Sequence, residues 1–525
     1  MSSKHKAAED AASRPTSGGL PNYEAAVGGH RDFMEESDAA PLLGHKEDED
    51  GNATKFTNAT TYKDVWATIL FLVHLVILAV IAYIGFNTEL PPYDDNGPSG
   101  PSRLKNEDSA PPTSPTPEAG NGLRSFVTLA GTAVAGGFGL SLLYFWAIER
   151  FASKLIKISF VVNTAVSGML AFYYLIIGNF IAGFFLGIYA IIHLIYYVVY
   201  RAHIPFTTLM LQTVTTVTKR YPATIFTGVI GLFVQILLSA GWTVAAAGAW
   251  RIVQAKKNDD IQHAITIYFV FSLYWLSQVV RNTVHVTVCG VFASYYFTGV
   301  SNVDGSVTVN VRNPTAKSAK RALTTSFGSI VFGSLIIALI QTLRFVARQV
   351  RSNANQEGNN AVALVAACLE CLIAMLEGII DFVNIYAFTQ VAVYGKSYME
   401  AARDTWALIQ RSGVELIIND DLTRGVLGLG SIFVGAVNTF IVYIALNIMS
   451  LTENTPAVVI SMIFAFVLAL VQFSILCETI HSGVATTFVC LAEDPDALNR
   501  TKPELYAAIR ETYPGVALTS RPIEV

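Results

Sequence analysis

The chain is poor in charged residues. Lysine, arginine, aspartate and glutamate make up 14% of its 525 residues, whereas soluble domains carry about a quarter. The charges are concentrated in the first sixty residues, in the segment between the first two apolar runs and in the tail, so the remainder is poorer still. With 52% hydrophobic residues, this composition predicts a membrane protein. The net charge of −4 gives no indication of a nucleic-acid partner.

Cysteine is also scarce, and its positions exclude a secreted disulfide framework. All five cysteines lie in apolar runs or at their ends, where such a framework is not built. Cys368 and Cys371 have the spacing of a redox or metal-binding pair, but no histidine or second pair stands at ligand spacing. We predict structural cysteines, no metal and no cofactor.

Motifs of soluble enzymes are missing. The chain has no HExxH, no GxSxG and no nucleotide-binding domain. The run Gly395-Lys396-Ser397 resembles the end of a phosphate-binding loop, but Gln390 stands where the first glycine should be and no strand precedes it. We therefore expect a protein that is not an enzyme and, if it transports, is not an ATP-driven pump on its own.

The first 62 residues are rich in Ser, Gly, Ala and acidic residues, which predicts a disordered cytosolic tail. No basic segment followed by an apolar one marks a cleaved signal peptide. Asp38, Leu42 and Leu43 fit an acidic dileucine sorting signal of the kind that cytosolic adaptor proteins read. We expect a transmembrane domain over 63–490 and a second cytosolic tail over 491–525.

Ten apolar runs are long enough to cross a bilayer, for which about 20 residues suffice. They lie near 64–86, 125–147, 156–176, 180–200, 223–250, 262–290, 322–344, 361–386, 425–449 and 457–481. The predicted fold class is therefore an all-α polytopic membrane protein with about ten transmembrane helices. A flexible, Pro-rich loop is predicted near 87–124, and the Thr/Val-rich segment 201–222 is expected to lie at the membrane interface or to dip in.

Basic residues set the predicted orientation, because cytoplasmic loops are enriched in Lys and Arg. With the N-terminus inside, inner loops carry fourteen basic residues and outer loops nine. Two glycosylation sequons, at Asn52 and Asn58, would be usable only if the tail were lumenal. The basic-residue bias favours both termini in the cytosol.

The eighth run carries a polar stripe. Glu370, Glu377, Asp381 and Asn384 project at about 0°, −20°, +20° and −40° around a helix that turns 100° per residue. A carboxylate that faced hydrocarbon would cost several kcal/mol, about +3 by insertion scales, so the stripe is expected to face a partner helix or a polar route. We predict that it contributes to substrate binding, with Glu370, near the bilayer midplane, as the cation-contacting residue. A protonated, hydrogen-bonded Glu370 is the alternative.

Arg281 in the sixth run is predicted to reach the depth of Glu377 and Asp381. The three residues would form either a structural ion pair between helices or a gate that opens as substrate arrives. Removal of one partner should be harmful in both cases, because it strands a buried charge. Tyr274 and Trp275 are candidate aromatic contacts for a quaternary ammonium group.

The other intramembrane polar residues have simpler expected roles. His74, His193 and His285 are predicted to be satisfied core residues rather than proton relays. Glu478 and His481 are expected to reach the interface at the end of the tenth run.

Several segments resemble the choline transporter-like family, most closely its fungal branch. They are VVRNTVHVTVCG at 279–290 with Tyr296-Phe297, SFGSIVFGSL at 326–335, AVYGKS at 392–397, CLAEDP at 490–495 and PELY at 503–506. The resemblance covers about 60–515, with the segments in the family's order, and it implies ten spans, cytosolic termini and transport in the plasma membrane. The short loop after the first span fits the fungal branch, whereas animal relatives carry a large extracellular domain there.

We therefore expect a multi-pass plasma-membrane transporter of choline or a related small organic cation, with the lipid bilayer as its environment. The polar route would be lined by the eighth helix, and Arg281 would pair with its stripe when the site is empty. The alternatives are a non-transporting scaffold or receptor, a channel, and a carrier for an unrelated solute.

Overall fold

A computed structural model describes residues 61–88, 117–256, 259–301, 307–309, 312–449, 455–493 and 497–499, with single positions at 503, 506, 507 and 510. The predicted sorting signal at Asp38, Leu42 and Leu43 lies outside these residues. The helices are, in chain order, α1 (Val65–Asn87), α2 (Pro117–Ile176), α3 (Phe180–Tyr200), α4 (Ile204–Arg220), α5 (Ala223–Lys256), α6 (Asp259–Thr298), α7 (Pro314–Leu323), α8 (Phe327–Gln356), α9 (Asn360–Tyr394), α10 (Tyr398–Ile448) and α11 (Thr455–Glu493).

The all-α polytopic fold is confirmed. Within the described ranges, nine continuous helical segments are long and apolar enough to cross a membrane. The segment Thr128–Ile176 holds two of the ten predicted spans in 49 residues, which would extend about 74 Å at 1.5 Å per residue, over twice the ~30 Å hydrocarbon core. Phe151 interrupts it with non-helical angles (φ −132°, ψ 23°), so a kink separates two arms of span length.

The only departure from helix that forms a sheet in the described part is one short pair of strands between α6 and α7. Strand β1 (Gly299–Ser301) pairs antiparallel with β2 (Val307–Val309), and Val300 lies opposite Thr308. The pair belongs to the connection between spans and leaves the helical architecture unchanged.

Two predicted segments differ from the structure. The segment 201–222 forms a 3₁₀ turn (Arg201–His203) and α4, whose Met210 and Leu211 are fully buried, so it packs inside the protein. The seventh span was expected to end at 344, but α8 continues to Gln356. Its last turns carry arginines that meet the acidic stripe of α9, which allows the helix to continue where a loop was expected.

Glycines allow several helices to approach closely. A Cβ on Gly85 of α1 would lie 2.1 Å from the carbonyl oxygen of Gly248 in α5. A Cβ on Gly430 of α10 would lie 2.4 Å from the Tyr144 ring and 2.7 Å from the Phe473 ring. Small residues bring membrane helices together by such backbone approach, so these glycines serve packing.

The residues that precede α1 are fixed to two other turns. Lys63 N–H donates to the Thr325 carbonyl (3.1 Å). The Asp64 carboxylate accepts from Ser329 Oγ (2.7 Å) and from the backbone N–H of Tyr398 (2.9 Å), the first residue of α10. The entrance of the first span is thereby joined to the starts of α8 and α10.

Candidate functional site

The polar stripe of α9 faces the bundle and meets arginines of α8. Glu370 is 8% exposed and lies 3.0 Å from Arg348 Nε and 2.8 Å from Arg351 Nη1. Glu377 Oε2 accepts from Arg344 Nη1 at 2.6 Å. This end of the stripe therefore consists of ion pairs.

The geometry of the α8–α9 hairpin explains this pairing. Arg344, Arg348 and Arg351 are spaced by four and three residues, so they share one helix face. The hairpin turns at Gly358, whose φ of +71° suits glycine, and it returns the acidic face of α9 along that basic face.

Arg281 has a partner other than the predicted one. Its Nε lies 3.5 Å from Glu478 Oε2 on α11, and no ion pair joins it to Glu377 or Asp381. Glu377 is engaged instead by Arg344 of α8, a helix that packs against both α6 and α9. Although α6 and α9 are neighbours, similar depth along them did not determine which charged side chains pair.

Asp381 and Asn384 occupy the far end of the stripe. Asp381 is half-buried and, in the part of the chain that is described, forms no ion pair within 4.0 Å, although it interacts electrostatically with Arg281 and Arg424. Asn384 is buried and accepts a hydrogen bond from the Tyr398 hydroxyl. Burial raises the pKa of the Tyr398 phenol to about 12, so this group remains a donor at neutral pH.

The predicted aromatic contacts lie in a packed cluster beside α1. Trp275 is 2% exposed, donates from Nε1 to the Val331 carbonyl (3.3 Å) and stacks edge-on against Phe71 at 5.2 Å between centroids. Tyr274 packs against the same cluster. The structure does not bring either side chain together with Glu370 in any contact between described residues.

His285 is the polar centre of the bundle, joining α6, α9 and α11. Its Nδ1 lies 2.8 Å from Ser482 Oγ and 3.2 Å from Glu478 Oε1, and its Nε2 lies 3.1 Å from the Ile385 carbonyl oxygen. A carbonyl only accepts, so Nε2 carries a hydrogen. A neutral ring can then accept from Ser482 at Nδ1, whereas a protonated ring donates from Nδ1 to Glu478.

A second cluster of charged residues lies beside the one formed by His285 and Glu478. The Asp420 carboxylate, almost fully buried, lies 2.7 Å from Arg424 Nε and 2.6 Å from His481 Nε2. Asp420 and Arg424 are one helical turn apart on α10, and His481 is on α11.

A cleft of about 770 Å³ lies between α5, α6, α10 and α11 and is bordered by some members of these two clusters. Its polar lining includes Gln235, Ser277, Arg281, Arg424, Glu478 and His481. Small-molecule sites typically occupy about 300–1,000 Å³. The cleft therefore has the size of a ligand site and carries charges of both signs on helices long enough to cross a membrane.

Of the residues that line this cleft, the sequence predicted a site role only for Arg281, although helical spacing gave a signal for others. Arg281 and His285 are four residues apart, and so are Glu478 and Ser482, which puts each pair on one helix face. A search for polar i, i+4 pairs in every span would have found both faces.

The fold and the site define a polytopic α-helical membrane protein whose spans pair charges around an interior cleft. Residues 184–496 match the family model described as "Plasma-membrane choline transporter". The chain belongs to this family.

Its relatives cover most of the chain. A CTL-like protein of Dictyostelium discoideum is 32% identical over 468 residues, 88% of this chain and 77% of that protein. Protein PNS1 of Gibberella zeae is 29% identical over 470 residues, 87% of this chain and 83% of its own length. Protein PNS1 of Cryptococcus neoformans is 28% identical over 519 residues, 96% of this chain and 89% of its own length. The family is one of membrane transporter-like proteins.

Proposed function

We propose that the protein is a plasma-membrane transporter of choline or a related small organic cation, with both termini in the cytosol. The proposal is carried by one observation beside the family membership. The Glu478 carboxylate lines the cleft, its side chain is 20% exposed, and its cationic partner Arg281 lies at 3.5 Å with 53% of its own side chain exposed.

Arg281 acts in this proposal as a tethered cation. It neutralises Glu478 while the site is empty, since an unpaired carboxylate at bilayer depth is costly. A substrate ammonium then replaces the guanidinium, and His285 stabilises Glu478 from the other side. A long ion-pair contact is easier to exchange than the 2.6 Å contact between Arg344 and Glu377.

The eighth-span stripe continues the route in this proposal. Asp381, which interacts electrostatically with Arg281, joins the stripe to the cleft, and Asn384 lies one turn further along α9. Glu370 and Glu377, with their α8 arginines, form the other end of the route, where their ion pairs open as the cation passes.

The test is uptake of labelled choline by purified protein in liposomes, with and without a pH gradient. We expect saturable uptake that Glu478→Gln and Asp381→Asn each lower at least tenfold, about 1.4 kcal/mol of cation binding. Glu357→Gln is the matched control, because Glu357 is exposed at the end of α8 and forms no ion pair with any described residue. Melting profiles confirm that each variant folds.

The same assay decides the remaining alternatives. Unchanged uptake in the Glu370→Gln variant would remove Glu370 from the mechanism but would not contradict the proposed binding of substrate in the cleft. A folded protein that takes up neither choline nor any of a panel of amines would refute the transport proposal. A scaffold would instead lose its cellular function on deletion of residues 1–60 and keep it in the Glu478→Gln variant. Uptake that does not saturate would indicate a channel.

A further inference from the structure

The cleft exposes two arginine side chains on helices that are long and apolar enough to cross a membrane. Arg281 on α6 and Arg424 on α10 lie within membrane-spanning segments, yet their side chains are 53% and 51% exposed. Both line the cleft. A guanidinium on a membrane-spanning helix needs a polar partner or water around it.

Each of these arginines approaches its carboxylate through Nε. The Nε of Arg281 is 3.5 Å from Glu478, and that of Arg424 is 2.7 Å from Asp420. Neither residue donates a hydrogen bond from an Nη amine to any described part of the chain. The Nη fork, which binds carboxylate and phosphate oxygens in pairs, is therefore available in both.

Two arginines of the α8–α9 hairpin behave differently. Arg344 and Arg351 reach Glu377 and Glu370 through Nη1, at 2.6 and 2.8 Å. In this hairpin, the Nη1 amines of Arg344 and Arg351 hold α8 and α9 together. Arg348 of the same hairpin reaches Glu370 through Nε at 3.0 Å, so what sets Arg281 and Arg424 apart from it is that both line the cleft.

A simple cation does not use these forks, since choline carries no anionic group. The cleft presents positive charge on Arg281 and Arg424 and negative charge on Glu478, with Asp420 behind Arg424 and the histidines His285 and His481 beside the carboxylates. A ligand with both signs of charge matches this lining better than a cation or an anion alone.

We infer that the cleft takes a zwitterion in which an ammonium group is joined by a short chain to a phosphate. The ammonium lies at Glu478, as in the proposed function on which this inference rests, and the phosphate lies between the Nη forks of Arg281 and Arg424. Phosphate is favoured over carboxylate because two forks need more than two acceptor oxygens. The apolar walls, which include Leu232, Val280 and Leu470, also suit the chains of a lipid that carries the same headgroup.

The test is equilibrium binding of phosphocholine and of choline to the purified full-length protein by isothermal titration. We expect phosphocholine to bind at least tenfold more tightly than choline, and Arg424→Gln to remove that advantage. Arg424→Lys keeps the charge without the fork and should lose most of the advantage as well. Arg403→Gln, an exposed position on the same helix, should leave the ratio of the two affinities unchanged.

Each outcome bears on the inference. Equal or weaker binding of phosphocholine would overturn it, and so would an unchanged ratio in folded Arg424→Lys. Betaine binding as tightly as phosphocholine would replace phosphate by carboxylate. Phosphocholine binding without choline uptake in liposomes would refute the proposed transport of choline while it supports the zwitterion site.

Two liposome compositions distinguish the sources of the headgroup. If a lipid headgroup fills the cleft, phosphocholine should inhibit choline uptake in phosphatidylglycerol liposomes and fail to do so in phosphatidylcholine liposomes. If the ligand is soluble, inhibition should be equal in both. No inhibition in either, with choline uptake intact, would overturn the inference.

Discussion

Single carboxylates in the spans are held mainly by basic side chains. Glu370 and Glu377 are paired with arginines of α8, Glu478 with Arg281 and His285, and Asp420 with Arg424 and His481. Asp381 differs, because it forms no ion pair with a described residue. In the proposed transport, Asp381 can meet a cation without first giving up a partner, whereas the paired carboxylates must exchange theirs.

Asp64 is the residue whose removal should affect the fold most directly. Its carboxylate accepts two hydrogen bonds that join α1 to the starts of α8 and α10. We expect Asp64→Ala to lower the free energy of unfolding by about 1.5–3 kcal/mol, the usual contribution of hydrogen bonds to a charged group. Asp64→Asn keeps an acceptor oxygen and tolerates the φ of +50° at this position.

Thermal unfolding in detergent measures this effect. The alanine variant should melt at a lower temperature than the wild type, and the asparagine variant should lie between them. Equal melting of the alanine variant and the wild type would mean that this junction does not stabilise the bundle.

At the scale of helices, the crossing of α1 and α5 depends on Gly85 and Gly248. Backbone atoms of one helix occupy the space that a side chain on the other would need, so a methyl group at Gly85 must push the helices apart. We expect Gly85→Ala to destabilise the protein by about 1–3 kcal/mol, the usual cost of overpacking.

Gly241 provides the matched control on α5. No atom lies within 4 Å of a Cβ added there, so Gly241→Ala should be neutral or stabilise by up to about 1 kcal/mol through helix propensity. If both variants melt alike, close approach is not the reason for glycine at position 85.

The orientation of the protein in the membrane is a property of the whole molecule, and the distribution of basic residues between its loops predicts it. We expect an epitope tag at the N-terminus to be detected only after cells are permeabilised, because both termini are predicted to be cytosolic. A tag inserted at Gly358, in the turn between α8 and α9, should be detected on intact cells. The reverse pattern would invert the topology and would make the sequons at Asn52 and Asn58 usable.

The sequence by itself determined the helical membrane fold. Long apolar runs fix spans locally, because the backbone in lipid must satisfy its hydrogen bonds within each helix. The same local periodicity correctly put Glu370, Glu377, Asp381 and Asn384 on one face of α9. The Phe151 kink falls between the second and third predicted spans, whereas the extension of α8 to Gln356 was not predicted, because its arginines pair with carboxylates of another helix, α9.

Only the tertiary structure decided which charges meet. Depth along a helix can be counted from the sequence, but the neighbours of a side chain around the bundle cannot. Only the structure shows that Arg281 pairs with Glu478 and that Glu377 pairs with Arg344. The cleft requires side chains from four helices that are distant along the chain, from Gly228 on α5 to His481 on α11. Helix periodicity acts within one element, whereas a ligand site needs side chains from several, and their arrangement follows from packing of the whole bundle.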